Sequence, residues 1–170
     1  KQAEAGVDIL VVSGGEAGGH CGEVSTLVLV PEVVEATKPY GEIPILAAGG
    51  IITGRQLAAC MSMGAHGAWT GSMWLTTTEA FTTQIIKEKF VAANSRQTVR
   101  SRSRTGKFSR QLRSPWTDAW ESEEAPDPLP MPLQGLVAEP ALGKINKLAE
   151  GGHEGAKQLA TYWVAVSYTH

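Results

Sequence analysis

The residues best suited to chemistry lie in Gly14-Gly-Glu-Ala-Gly-Gly-His20, a glycine-rich stretch that follows an apolar run. It places an imidazole after a pliant backbone. Histidine titrates near neutrality, so His20 could take a proton from a carbon beside an electron-withdrawing group. A solvated loop histidine is the alternative. Glu16 could orient His20 or face water. Two further glycine clusters, Gly49-Gly50 and Gly71-Ser72, also follow short apolar runs. Without a Cβ, such turns let main-chain N–H groups approach a phosphate. Each pair could also serve only as a tight turn; two in succession favour phosphate.

These positions need strands to carry them. Residues 6–13 form a near-continuous apolar run, expected to be a strand buried on both faces of a parallel sheet. Residues 43–48 and 66–70 repeat the pattern. Helices are expected over 28–37, with Pro31 near its start, and from Thr53, as N-cap, to Met63. Thr76 and Glu79 have capping-box spacing for a third helix running to Val91. Three strand–glycine–helix units argue for a parallel sheet, either doubly wound or part of a (β/α)8 barrel. In both, ligands bind where the strands end.

Other residues carry weaker signals. No GxGxxG follows a strand and no Walker lysine is present, which argues against dinucleotide and P-loop sites. His66 lies at a strand entry and is expected to be structural; His153 and His170 are expected to be exposed. The histidines lack metal-ligand spacing and there is no CxxC, so no metal is expected. A Cys21–His20 nucleophile pair is disfavoured, because such pairs usually meet in space rather than in sequence. Trp69 and Trp74 are expected to pack, or to edge an aromatic cofactor.

Residues 95–113 hold seven of the 15 basic residues and are followed by an acidic stretch and Pro126-Asp-Pro-Leu-Pro-Met-Pro132. This reads as an irregular extension whose charges are solvated or paired within the chain. Short helices are expected over 141–149 and 155–165. The expected segments are therefore 1–94, 95–134 and 135–170.

Composition sets outer limits. The 170 residues carry a net charge of −2, which excludes a strongly basic nucleic-acid binder as the default. No apolar run is long enough to span a bilayer. Two cysteines indicate no disulfide scaffold, and a reducing, cytoplasmic setting is expected. The sequence begins at Lys1 and enters a strand within ten residues, so a fragment is expected.

Taken together, Val11-Val-Ser-Gly-Gly-Glu-Ala-Gly-Gly-His20, Pro44-Ile-Leu-Ala-Ala-Gly-Gly-Ile51, Gly64-Ala-His-Gly67 and Thr70-Gly-Ser72 resemble the C-terminal half of the nitronate monooxygenase (2-nitropropane dioxygenase) family. The resemblance continues through Thr98-Val-Arg-Ser-Arg-Ser-Arg-Thr-Gly-Lys107 and Pro130-Met-Pro-Leu-Gln134. FMN-dependent enoyl-ACP reductases share the Glu-Ala-Gly-Gly-His element.

The resemblance implies the C-terminal part of a TIM barrel, strands six to eight, with the other half of the barrel outside this chain. It implies non-covalent FMN, bordered by Gly18 and Gly19. Ala48, Gly49, Gly50, Thr70, Gly71 and Ser72 would complete the cofactor site, with main-chain amides of the two glycine clusters on the phosphate. His20 would be the active-site base in the oxidation of alkyl nitronates by O2 to a carbonyl compound and nitrite. An enoyl-ACP reductase is the alternative within the fold. A non-catalytic module binding phosphate ligands is the alternative of another class.

The chain departs from many members at Ser13, where they carry glutamine, and at Trp69-Thr70, where they carry Gln-Met. The ending from Val164 also departs from the family, so the last residues are expected to be foreign to the native protein. A lone three-stranded parallel sheet is expected to expose an apolar edge.

Overall fold

The computed structural model describes residues 1–166. Three parallel strands form the first sheet: β1 (Leu10–Ser13), β3 (Ile45–Ala48) and β4 (Gly67–Trp69), in the order β1-β3-β4. Leu10 pairs with Ile45 and Ser13 with Ala48, so the three strands end in register at the glycine clusters. Helices α1 (Thr26–Thr37) and α2 (Gly54–Ser62) form the crossovers. Thr53 caps α2 in a true capping box: its hydroxyl accepts from Gln56 N–H, and the Gln56 side chain accepts from Thr53 N–H. Pro31 falls inside α1 rather than in its first turn, so the Leu27 carbonyl has no intrahelical donor there.

The sheet differs from expectation in its covering. Only one face is buried. Leu10, Val12, Ile45 and Ala47 pack with Val30 of α1 and Cys60 of α2, and Val30 and Ala47 are fully enclosed. On the other side Val11 is 42% exposed. The alternation of β1 is thus that of a half-covered sheet. Strand β1 also forms one edge of the sheet, as expected.

The third helix, α3, runs Gln84–Ala92 with Thr83 at its N-cap. The Thr76–Glu79 spacing therefore marks no helix start; a short 3-10 turn at Ser72–Trp74 and further turns occupy that stretch.

The largest correction concerns residues 95–113. They are not irregular. Strands β5 (Thr98–Ser101) and β6 (Ser109–Leu112) form an antiparallel hairpin. Its second strand pairs with β2 (Gly19–His20), giving a second sheet in the order β2-β6-β5. Among the described residues, four of the six arginines in the stretch hydrogen-bond through their side chains within the chain, as expected for them. Arg102 donates to the Gly106 and Pro128 carbonyls, Arg104 to Glu139, Arg110 to the Gly15 carbonyl and Thr98, and Arg113 to Asp118. Burial pushes the Arg110 guanidinium below its ordinary range, against the nearby Cys21.

Helix α4 (Pro115–Trp120) follows, then α5 (Leu133–Glu150) and α6 (Glu154–Leu159). The expected helix over 141–149 is thus the second half of a longer one. The expected helix over 155–165 stops at Leu159, with Ala160 as its C-cap, and residues 160–166 are not helical. A second hydrophobic cluster joins Ile86 and Phe90 of α3 to Leu112, Ala149, Ala160 and Val164, drawing on all three expected segments. Lys89 binds this end together by donating to the Gln158 and Ala160 carbonyls, and its burial lowers its proton affinity.

Val164, expected to be foreign, is fully buried in that cluster. The remaining residues of that ending, Ser167–His170, including His170, lie outside the described residues. No helix among the described residues is long and apolar enough to cross a membrane.

Candidate active site

The ends of β1, β3 and β4 open into one cleft of about 340 Å³. Gly18, Gly19, Ala48, Gly49, Gly50, Thr70, Gly71 and Ser72 all line it. Eight positions from three separate stretches thus meet at one surface. Among the described residues no charged side chain lines this cleft.

The glycines serve different purposes here. Gly49 has φ +127°, and a Cβ there would lie 2.6 Å from Thr26 Oγ1. At Gly18 a Cβ would lie 2.7 Å from the Val164 carbonyl carbon. Both are therefore required by the protein's own packing. At Gly71 an added Cβ would meet nothing within 4 Å, so its backbone is open to an approaching group. The Ser72 side chain has a structural task beside the cofactor role expected of its main-chain amide: its Oγ accepts from Ala165 N–H at 2.8 Å and holds the C-terminal segment.

That segment supplies residues that sequence reasoning missed. Tyr162, Trp163 and Ala165 form one wall of the cleft. Trp163 bridges to Gln111 of β6. Arg104 lies 4.4 Å from the centroid of its ring, a cation–π contact. The indole Nε1 of Trp163 is buried and has no acceptor among the described residues. An adjacent aromatic pair in a run of small residues was the available signal. Trp69, expected to pack or edge a cofactor, is 61% exposed and lines the cleft. Trp74 is also exposed, and its Nε1–H donates to Thr70 Oγ1.

His20 is not in the cleft lining. It stands beside it on β2, its ring centroid 6.1 Å from that of Trp163. The side chain is exposed, and Nε2 lies 2.7 Å from Thr105 Oγ1 at the hairpin tip. Glu16 neither orients His20 nor merely faces water. Its carboxylate accepts from the Thr26 N–H and hydroxyl, where it satisfies the start of α1. His66 accepts from Ile45 N–H through Nδ1, a structural role as expected. His153 caps α6 by accepting from Ala156 N–H.

The sequence model of the family described as nitronate monooxygenase matches residues 1–167. The chain belongs to the nitronate monooxygenase family. A Mycobacterium tuberculosis protein named as a monooxygenase is 56% identical over 165 residues, covering 96% of this chain and 43% of that protein. A second M. tuberculosis relative, named as a 5-hydroxy-7a-methyl-1-oxo-octahydro-1H-indene-4-carboxyl-CoA dehydrogenase, is 38% identical over 122 residues, covering 72% and 34%. Among solved structures, FabK from Thermotoga maritima matches with TM-score 0.71 and 31% identity, covering 96% of this chain and 48% of that one. This member of the nitronate monooxygenase family therefore spans less than half the length of each of these three proteins.

The two cysteines differ in access. Cys21 is partly exposed, whereas Cys60 is buried against the first sheet, and burial pushes its thiol up. Thiol titration with a chromogenic disulfide should show one group reacting in the folded protein and the second only after denaturation. Two fast thiols would contradict the packing of α2.

Proposed function

We propose that this chain carries one side of an FMN site in a nitronate monooxygenase, which oxidises alkyl nitronates with O2 to a carbonyl compound and nitrite. The observation that supports this most is the convergence of the three glycine-bearing strand ends on one cleft, with His20 beside it. The strands would be the sixth, seventh and eighth of a TIM barrel, whose inner surface corresponds to the uncovered face of the first sheet.

The residues present suit a flavin. A cleft of about 340 Å³ fits a ligand-sized group. Tyr162, Trp163 and Trp69 offer aromatic surface, and the indole N–H of Trp163, without an acceptor among the described residues, offers a donor. Main-chain amides of Gly49, Gly50, Gly71 and Ser72 would hold the phosphate, in keeping with a lining that has no charged side chain. When bound, the flavin supplies the redox chemistry between substrate and O2.

The protein's own part is positional and acid–base. On a neutral nitroalkane His20 would remove the proton from the carbon bearing the nitro group, which the nitro substituent makes acidic enough for an imidazole, and so form the nitronate that is oxidised. The wall formed by Tyr162 and Trp163 keeps water from one side of the cleft. The chain from β4 into the Ser72–Trp74 turn fixes the amides, because the Ser72 hydroxyl is tied to Ala165.

The test is anaerobic mixing of the intact protein with propionate 3-nitronate, followed by flavin absorbance. Rapid bleaching of the oxidised flavin is expected. Bleaching by NAD(P)H alone would overturn the proposal in favour of a reductase. That second reading is favoured by one observation, the 38% identity to a dehydrogenase named for a CoA thioester.

A further inference from the structure

We propose that Thr105 is a positioning residue for His20, fixing its imidazole as the Nε2–H tautomer and leaving Nδ1 as the unprotonated nitrogen. The link to catalysis rests on the reading of His20 as the base; the tautomer assignment itself does not.

The argument is one of hydrogen-bond capacity. A threonine hydroxyl has one proton to donate and two lone pairs with which to accept. Thr105 Oγ1 faces three groups: His20 Nε2 at 2.7 Å, the Lys107 carbonyl at 3.3 Å and the Lys107 N–H at 3.4 Å. The Lys107 N–H can only donate, and the Lys107 carbonyl can only accept. If the hydroxyl gives its proton to that carbonyl, both lone pairs are used when Nε2–H donates to Oγ1. All three contacts are then satisfied. The opposite arrangement sends the only hydroxyl proton to Nε2 and turns a lone pair toward the Lys107 carbonyl. The first arrangement leaves no mismatch.

Thr105 can do this because its loop is held from behind. Arg102 donates from Nε to the Gly106 carbonyl and from Nη2 to the Pro128 carbonyl, both at 3.1 Å. Gly106 has φ +83°, and a Cβ there would overlap the Leu129 carbonyl, so the proline-rich turn sits directly against the hairpin tip. Arg104, one residue before Thr105, is gripped between Glu139 and the Trp163 ring. His20 is fixed from the other side, since β2 pairs with β6 at Ser109. Imidazole and hydroxyl therefore meet across one short hairpin whose two ends are tied down. A hydrogen-bond partner of this kind commonly sets which histidine nitrogen carries the proton.

The test reads the ring directly. Long-range ¹H–¹⁵N correlation spectra of the full chain are recorded for wild type, Thr105→Ser and Thr105→Val. Wild type and Thr105→Ser should show His20 wholly as the Nε2–H form. Thr105→Val should show a mixture of both tautomers. In the intact protein, Thr105→Val should lower kcat on a neutral nitroalkane about 10- to 100-fold with KM little changed, and Thr105→Ser should restore it. An Nδ1–H signature in wild type, or an unchanged His20 pattern in Thr105→Val, overturns the proposal. Should Thr105→Val fail to fold, the wild-type spectrum decides alone. Turnover of His20→Ala judges the base assignment separately, so failure of that reading leaves a distinct mark.

Discussion

Replacing His20 with alanine in the intact protein should lower turnover of a neutral nitroalkane by ~10²–10⁴-fold, the range lost with a general base. A preformed nitronate has already given up that proton. Its turnover should therefore fall far less. Oxygen uptake with both substrates measures the difference. The imidazole is exposed and its hydrogen bond among the described residues is to Thr105, so the variant should keep its fold. Equal losses on both substrates would make His20 an orienting group instead. No loss on either would remove it from the chemistry.

The second large effect is expected at Gly18. An added methyl group would lie 2.7 Å from the Val164 carbonyl carbon and 2.8 Å from Ala165 N. Both are backbone atoms and cannot rotate away. Gly18→Ala should therefore displace the segment that walls the cleft, and with it the bond from Ala165 N–H to Ser72 Oγ. Overpacking of this sort costs roughly 1–3 kcal/mol. A lowered melting temperature and loss of flavin on gel filtration are the expected results. Gly143→Ala, on α5 and outside the cleft lining, is the control, because an added Cβ there meets nothing within 4 Å among the described residues. Normal flavin retention in Gly18→Ala would show that Tyr162 and Trp163 contribute little to the site.

The parallel sheet was legible because its strands are short apolar runs ended by glycine, and that pattern is local. The cleft lining at the three strand ends followed from the same signal. The β5–β6 hairpin was not legible. Its inward-facing residues on β6 are Ser109 and Gln111, both fully buried, where an apolar alternation would normally stand. A buried polar strand among arginines looks like a solvated loop until its partner strand is known. The helix start at Thr76 misled for a related reason. Thr53–Gln56 and Thr76–Glu79 have the same spacing, but only the first is followed by a chain that packs as a helix. The partner of His20 lies 85 residues further along the sequence, and no local pattern announces such a contact.

The meeting of Gly18 with Val164 and of Glu16 with Val166 has a kinetic side. It joins points separated by almost the full length of the chain. The entropy lost in closing such a loop cannot be recovered until both hydrophobic clusters already exist. This seam should accordingly be the last part to assemble and the first to open under native conditions. Amide exchange at Ala165 and Val166 would then outpace exchange in β3. Ligand capture and release could proceed through that local opening, with the sheets left intact.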